Sequence, residues 1–507
     1  MNKRWWILRV VLAAAALFTT LAQAQTLRFG LAEDPDVLDP TLARTFVGRI
    51  VFSALCDKLF DLDEKLNIVP MLATSYKWSA DSKALTLKLR KGVTFHDGEK
   101  LDAAAVKFNL ERNKTMPGSS RRSELAPVAS IDVVDPMTVR LNLSAPSAPL
   151  LAVLTDRAGM MVSPKAAQAL GDKFGTKPVC SGPFKFVERV AQDRIVLERY
   201  PGYWNKGAIH FDRVVYLPIV DATVRLANLR AGQLDMIERM AASDVPGLKD
   251  DSRFRTAKIV EIGYQGITIN LAKSDLAQKS ALGRDARVRE AFELSLDRDG
   301  IVQVAMDGEA VPGNQWVAPN NRYYAKKFPI PKRDVARARA LLKAAGVENP
   351  SVTLMTPTTS DAQRIAQVVQ AMAKEAGFDV KIQSTEFATS LNMADKGDFE
   401  AYVLAWSGRA DPDGNLQIHL GCGAPLNYAG YCNKEVDRLM EESRAQRDPA
   451  KRAAVYEKIA AEILKERPVV YLFHRHWLWA HTAKLTGFKP VPDGMVRVQG
   501  LKMASGG

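Results

Sequence analysis

The stretch WSGRADPDGNLQIHL, residues 406–420, sets Arg409, Asp411, Asp413 and Asn415 directly after Trp406, and three chemistries compete for it. A calcium loop needs oxygen ligands converging from alternating positions, with glycine sixth and a bidentate glutamate twelfth. Counted from Asp411, the sixth residue is Leu416 and the twelfth is Cys422, so the loop is not read as a metal site. Two neighbouring carboxylates can act as an acid/base couple when their pKa values are driven apart. Asp411 and Asp413 have that spacing, but the local sequence supplies neither a positioned partner nor a reacting bond. The third chemistry is ligand binding. Arg409 offers a planar fork suited to carboxylate or phosphate, and Asp411 could orient that fork or receive a ligand amine. Against this, Asp-Pro and Asp-Gly are turn dipeptides whose side chains cap backbone amides. Asp413 is assigned to the turn, and Asp411 is left between the two roles.

The rest of the chain adds little reactive chemistry. It carries no GxSxG elbow, no HExxH, no phosphate-cradling GxxxxGK[ST], no GxGxxG and no CxxC. Of its six histidines only His474 and His476 stand two apart, and two ligands do not make a zinc site, which needs three or four. Polar packing at a strand end accounts for both. An enzyme is therefore not expected, and neither is a cofactor or a metal. The candidate ligand-binding residues are Arg409, Asp411, Trp406 and Ser407. Tyr264, Trp316 and Phe46 join them as possible apolar walls, in competition with plain core packing.

The elements that would position these residues follow from patterning. LTLKLR (85–90) and TVRLNL (138–143) alternate apolar and polar residues as half-buried strands do. FKFVERVAQDRIVLERY reads as a hairpin turning at Gln192-Asp193. Asp102, Asp221 and Asp448 read as helix caps, with Pro449 in a first turn and Pro468 as a stop. Val335, Ala338, Leu342 and Ala345 form one helical stripe. Strands and helices alternate throughout, which points to an α/β fold, and the length suggests two or three domains.

The first 24 residues read as a signal peptide: Lys3 and Arg4, an apolar run, then Ala22-Gln23-Ala24 as a cleavage site. The expected mature chain begins at Gln25. Its formal net charge falls from +13 to +10, because Lys3, Arg4 and Arg9 leave and no acid does. No run of five or more Lys and Arg occurs, so the basic balance reads as a solvated surface and no nucleic-acid partner is expected. No cysteine follows the cleavage site to accept a lipid, so the expected location is the periplasm. Four cysteines in an oxidising compartment allow three pairings. Cys422 and Cys432, close together in a Gly- and Asn-rich loop, are the expected pair. Cys56 and Cys180 read as buried thiols, with a second bridge as the alternative.

Several longer phrases, taken in order, resemble one family. DPDVLDPTLART, LNIVPMLATSYKW and LRKGVTFHDG open the series. KPVCSGPFKF with YPGYW follows, and then RVREAFELSLDRDGIVQVAMDGEAVPGNQWVAP. NKEVDRLMEESRAQRDPAKRAAVYEKIAAEILKERPVVYLF completes it. The ordered set is similar to the family 5 extracellular solute-binding proteins, the dipeptide- and oligopeptide-binding receptors of bacterial ABC importers. The resemblance covers essentially the whole mature chain. Tyr76-Lys77-Trp78 stretches the family's Ser-Trp by two positions, and Cys180 and Ser181 stand where Gly and Thr are usual.

The resemblance implies a two-lobed periplasmic-binding-protein fold with a cleft between the lobes. Lobe I is expected over residues 25–265, with an inserted subdomain near 60–180. Lobe II is expected over 266–475, and 476–507 return to lobe I. It also implies a peptide or peptide-like ligand, a permease partner in the inner membrane, a monomer, and a cysteine pair in a loop comparable to that of Cys422 and Cys432. Two departures bear on the ligand. Dipeptide receptors place an aspartate for the ligand ammonium about where this chain has Arg409. They also place an arginine for the ligand carboxylate about where it has Pro357, Thr358 and Thr359. The alternative ligand is a non-peptide solute such as an opine, a glutathione-like thiol, a metal chelate or an oligosaccharide, and the alternative from a different class is a secreted hydrolase.

Overall fold

The computed structural model describes residues 25–504; the expected signal peptide lies outside the described residues. No helix among the described residues is long and apolar enough to cross a membrane. The chain opens with strand β1 (Thr26–Leu31), in which Leu27, Phe29 and Leu31 are buried at every second position. Helix α1 (Phe46–Leu55) follows and is enclosed along almost its whole length.

Next comes a separate antiparallel sheet. It is built from β2 (Ala73–Trp78), β3 (Ala84–Leu89), helix α2 (Ala103–Thr115), β4 (Val128–Asp135) and β5 (Thr138–Leu143), in the strand order β2-β3-β5-β4. Leu85, Leu87, Val139 and Leu141 face Val106 and Leu110 of α2 in a core of their own. Asp102 caps α2 by accepting from the Ala105 amide at 2.9 Å.

The first lobe then resumes with the hairpin β6 (Phe184–Val190) and β7 (Arg194–Arg199), whose turn holds Gln192 at φ 63°. It continues through β8 (Arg213–Pro218), α3 (Ala222–Arg230), β9 (Met236–Ile237) and β10 (Phe254–Val260).

The second lobe contains β11 (Tyr264–Ile269), β12 (Ser351–Pro357), α4 (Ser360–Glu375), β13 (Asp379–Thr385) and β14 (Ala401–Trp406). Helices α5 (Asp413–Leu420), α6 (Lys434–Ala445) and α7 (Pro449–Glu466) close it, the last capped by Asp448. The fourteen-residue strand β15 (Val469–Thr482) belongs to both lobes. Its first part pairs with β11 and its last part, from His476, pairs with β10.

The result is one twelve-stranded mixed sheet, with a main path β13-β12-β14-β11-β15-β9-β1-β8-β7-β6. Each lobe packs its own core on it, around Phe29, Phe52 and Trp479 in one and Ile267, Phe292 and Leu354 in the other. This is the two-lobed α/β fold.

Both cysteine pairs are closed, and one corrects the sequence reading. Cys422 and Cys432 are bonded, and so are Cys56 and Cys180, which were expected as buried thiols. The reason is backbone proximity. The Gly182 amide donates to Leu55 O at 3.0 Å, and a Cβ on Gly182 would lie 2.6 Å from Leu55 C. The loop is thus pressed onto the end of α1, with the two Cα atoms 4.9 Å apart.

Candidate functional site

The loop after β14 is shaped by Asn415, which is almost wholly buried. Its Oδ1 accepts from Trp406 Nε1 at 3.0 Å and from the Arg409 amide at 2.7 Å. Its Nδ2 donates to Ile262 O at 2.8 Å and to Trp316 O at 3.1 Å. One side chain therefore ties the loop to the crossing between β10 and β11. The backbones meet so closely there that only glycine fits. Gly408 has φ 81°, and a Cβ on it would sit 2.4 Å from Ile262 C. Gly414 leaves room for the Arg409 stem, which a Cβ would meet at 2.7 Å.

Arg409 is thereby aimed out of lobe II across the cleft. Its Nε lies 3.3 Å from Asp156 Oδ2 and its Nη2 3.8 Å from Glu124 Oε1, both on lobe I. Its guanidinium carbon is 4.5 Å from the centre of the Trp406 ring, within cation–π range. Asp156 also receives Arg49 of α1 through Nε at 3.1 Å and Nη2 at 3.0 Å. Glu124 is held by Arg121 Nη1 at 2.5 Å. Burial alone would push the Asp156 carboxyl up, but Arg49, Arg409, Arg157 and Arg121 together hold it well below the usual carboxylate range. Burial lowers the Arg409 guanidinium to about 10 against the pull of Asp156, so it stays charged at neutral pH.

Asp411 takes the turn-capping one of its two expected roles, and both aspartates gain arginine partners that the sequence did not announce. Asp411 does not orient Arg409: it lies fork to fork with Arg452 of α7, at 2.6 and 2.7 Å. It is also the side chain that caps the turn, accepting from the Asp413 amide at 3.0 Å. Asp413 pairs instead with Arg444 Nε at 2.8 Å. Burial raises the Asp413 pKa, and Arg444 opposes the rise.

The other candidates are scattered around this cluster. Ser407 Oγ is 3.5 Å from Arg49 Nη1. Phe46 stacks on Trp477 at 4.4 Å between ring centres. Tyr264 pairs across the sheet with Trp406 and packs edge-on against Tyr471 in the lobe II core. Trp316 is fully enclosed beside Tyr456. Of the histidines, His474 sits in the core with Nδ1 2.6 Å from Gly263 O, and His476 pairs with Glu309. The residues that sequence reasoning missed are Asn415, Glu124, Asp156, Arg49 and Arg444. Only Asn415 carried a local signal, its place inside the quoted loop.

Between the lobes lies a cavity of about 180 Å³, walled on one side by the segment from Ser123 to Asp156 and on the other by Trp406, Arg409, Ile418 and Arg444. Further contacts bridge the lobes around it. Arg444 O accepts from the Ala148 amide at 2.8 Å, Arg447 Nη1 reaches Ser82 Oγ at 3.2 Å, and Arg44 lies 3.9 Å from Asp395.

The family model for bacterial extracellular solute-binding proteins, family 5 middle region, matches residues 67–426. A glutathione-binding protein of Pectobacterium atrosepticum is 28% identical over 97% of this chain and 96% of its own. A periplasmic binding protein of A. tumefaciens R10, solved with agropinic acid, is 27% identical. It has a TM-score of 0.85 and covers 95% of this chain and 99% of its own. An ABC transporter-associated periplasmic binding protein of Helicobacter pylori, solved with the peptide STSA, is 26% identical. Its TM-score is 0.86, over 95% of this chain and 98% of its own.

Proposed function

The chain belongs to the family 5 bacterial extracellular solute-binding proteins, the receptors of ABC transporters, and on that premise we propose that it captures a small peptide or peptide-like solute between its lobes. The observation that carries this reading is Arg409, which projects from lobe II to Asp156 and Glu124 of lobe I over a cavity walled by both. Enclosure between two lobes is how a solute loses most of its contact with water, and the closed shape is what a permease can recognise. In this reading residues 25–265 and 476–507 form lobe I and 266–475 form lobe II. The mature protein works as a monomer in the periplasm and hands its solute on without chemistry.

The ligand group facing Arg409 is an acceptor, since an ammonium there would meet a guanidinium that has only a share of Asp156. Trp406 forms the apolar floor, with Ser407 and Phe46 near Arg49. The same feature keeps open a carboxylate-rich solute other than an ordinary peptide, of the opine or glutathione-like kind, and the relatives that bind agropinic acid and glutathione support that second reading.

Calorimetry against di- and tripeptides, glutathione and opines tests the proposal, with chromatography of each mixture after incubation. The expected result is one-to-one binding of at least one compound, recovered unchanged. Failure of the whole panel to bind, or recovery of cleaved products, overturns it.

A further inference from the structure

The cavity of about 180 Å³ is smaller than the roughly 300–1,000 Å³ that houses a whole small ligand. It has the size of a compartment for one side chain. Its body is aliphatic, with Pro127, Pro149, Ala152 and Val153 facing Ile418 and the Trp406 ring. Its polar part holds Arg444 and Arg409 together with the carboxylates of Glu124, Asp156, Asp411 and Asp413. Arg444 offers Nε to Asp413, yet its Nη2 is buried with no acceptor. Arg409 Nη2 comes no nearer than 3.8 Å to Glu124. A buried guanidinium N–H without an acceptor is destabilising, and a group that accepts from it completes the site.

The charge balance has the same sign. Each carboxylate at the cavity has an arginine within ion-pair distance: Glu124 with Arg121, Asp156 with Arg49, Asp411 with Arg452 and Asp413 with Arg444, although Asp156 Oδ2 is buried without a hydrogen-bond donor of its own. Arg409 and Arg157 remain. Arg409 only shares Asp156, and Arg157 donates to the carbonyls of Ala43 and Thr45, 3.9 Å from Asp156. The cluster therefore carries two guanidinium groups beyond its carboxylates, in a place from which water is largely excluded. An anion is favoured there and a cation is not.

We propose that this cavity is an acid-selective subsite: it takes a carboxylate-terminated side chain on a short aliphatic stem, with the carboxylate accepting from Arg444 Nη2 and Arg409 Nη2. The proposal rests on the receptor reading and adds to it a specificity that the fold alone does not give. Arg444 is the discriminating residue. Its backbone carbonyl bonds Ala148 across the lobes, which places it at the seam that the cavity occupies.

The test uses alanine tripeptides carrying glutamate, glutamine or lysine at each position in turn, with free glutarate and glutaramide as probes of the subsite alone. Calorimetry on the full mature protein is expected to show glutamate preferred over glutamine by about tenfold or more at one position, with lysine weakest. Arg444→Gln is expected to bring glutamate and glutamine within about twofold, with glutamate losing more affinity than glutamine. Arg444→Lys keeps a cation opposite Asp413 but loses the second nitrogen. It is expected to lose most of the preference too, and it serves if the first variant fails to fold. The readout is a ratio of affinities, which a merely structural arginine would not move. If wild type binds the glutamate and glutamine peptides equally, or prefers lysine, the subsite is overturned while the receptor reading stands. If no peptide binds but glutarate does, in an Arg444-dependent way, the subsite stands and the peptide reading fails. If neither binds, both fall.

Discussion

Asn415 uses both ends of its amide, and each end has two partners. Its replacement by alanine leaves the Trp406 indole N–H, the Arg409 amide and two carbonyls without their bonds in a dry place, at about 1–3 kcal/mol for each group that water cannot reach. Asn415→Ala is therefore expected to lower unfolding free energy by roughly 3 kcal/mol in urea titration and to loosen the aim of Arg409. A loss below about 0.5 kcal/mol would mean that the loop holds itself without the asparagine. Arg409 acts differently, because it joins the lobes rather than building one of them. Arg409→Ala is expected to weaken the native solute by at least tenfold, in line with the ~2–5 kcal/mol for truncating one partner of a buried charged hydrogen bond. The urea midpoint of the empty protein should move far less. Equal affinity in variant and wild type would put the solute elsewhere.

The two disulfides act at the scale of elements. Cys422–Cys432 closes a separation of 10 residues beside α5 and α6, whereas Cys56–Cys180 ties the end of α1 to a loop 124 residues on. In the chain-entropy account these are worth about 3 and about 5 kcal/mol. Cys56→Ser is thus expected to lower the denaturation midpoint more than Cys432→Ser, and a reversed order would contradict the ranking. The pair at 422 and 432 was legible because its members are close in sequence, while the partner of Cys56 was hidden by distance along the chain. The same division runs through the fold. The caps Asp102, Asp221 and Asp448 and the turn at Gln192 were readable, since each signal lies within a few residues of its effect. The pairings Asp411–Arg452 and Asp413–Arg444 span 41 and 31 residues, and nothing local announces them. Glu124 and Asp156 were invisible as site residues for a stronger reason. They lie on the other lobe, and only closure of the two lobes makes them neighbours of Arg409.

Across the whole molecule, titratable groups held away from water shape the response to acid. Burial lowers His96 and His474 to about 4 and His419 to about 3, so all three are neutral in the folded state at neutral pH. A depressed histidine stabilises the fold above its unfolded value near 6.5 and loses that contribution as pH falls toward 4. Burial raises Asp57 to about 7, and its contribution runs the other way, growing as pH falls from 7 toward its unfolded value near 4. Burial also lowers His481 and raises Asp413 and Glu261, so the groups oppose one another; the three strongly depressed histidines each lose about 2 kcal/mol by pH 5, and acidification from pH 7 to 5 is expected to lower stability. His419→Gln should show a smaller loss over that window in urea titrations at the two pH values, and a rise in wild-type stability would reverse the balance. The central claim is larger than any of these: two lobes close on a small acidic, peptide-like solute. Mass spectrometry of the solute released by denaturing protein purified from its native cells tests it most directly. The account predicts one dominant compound, near one per protein, that carries an amide and at least one carboxylate beyond its cationic groups. Release of a dominant cationic or uncharged compound, or of peptide fragments too mixed to name one, would contradict it.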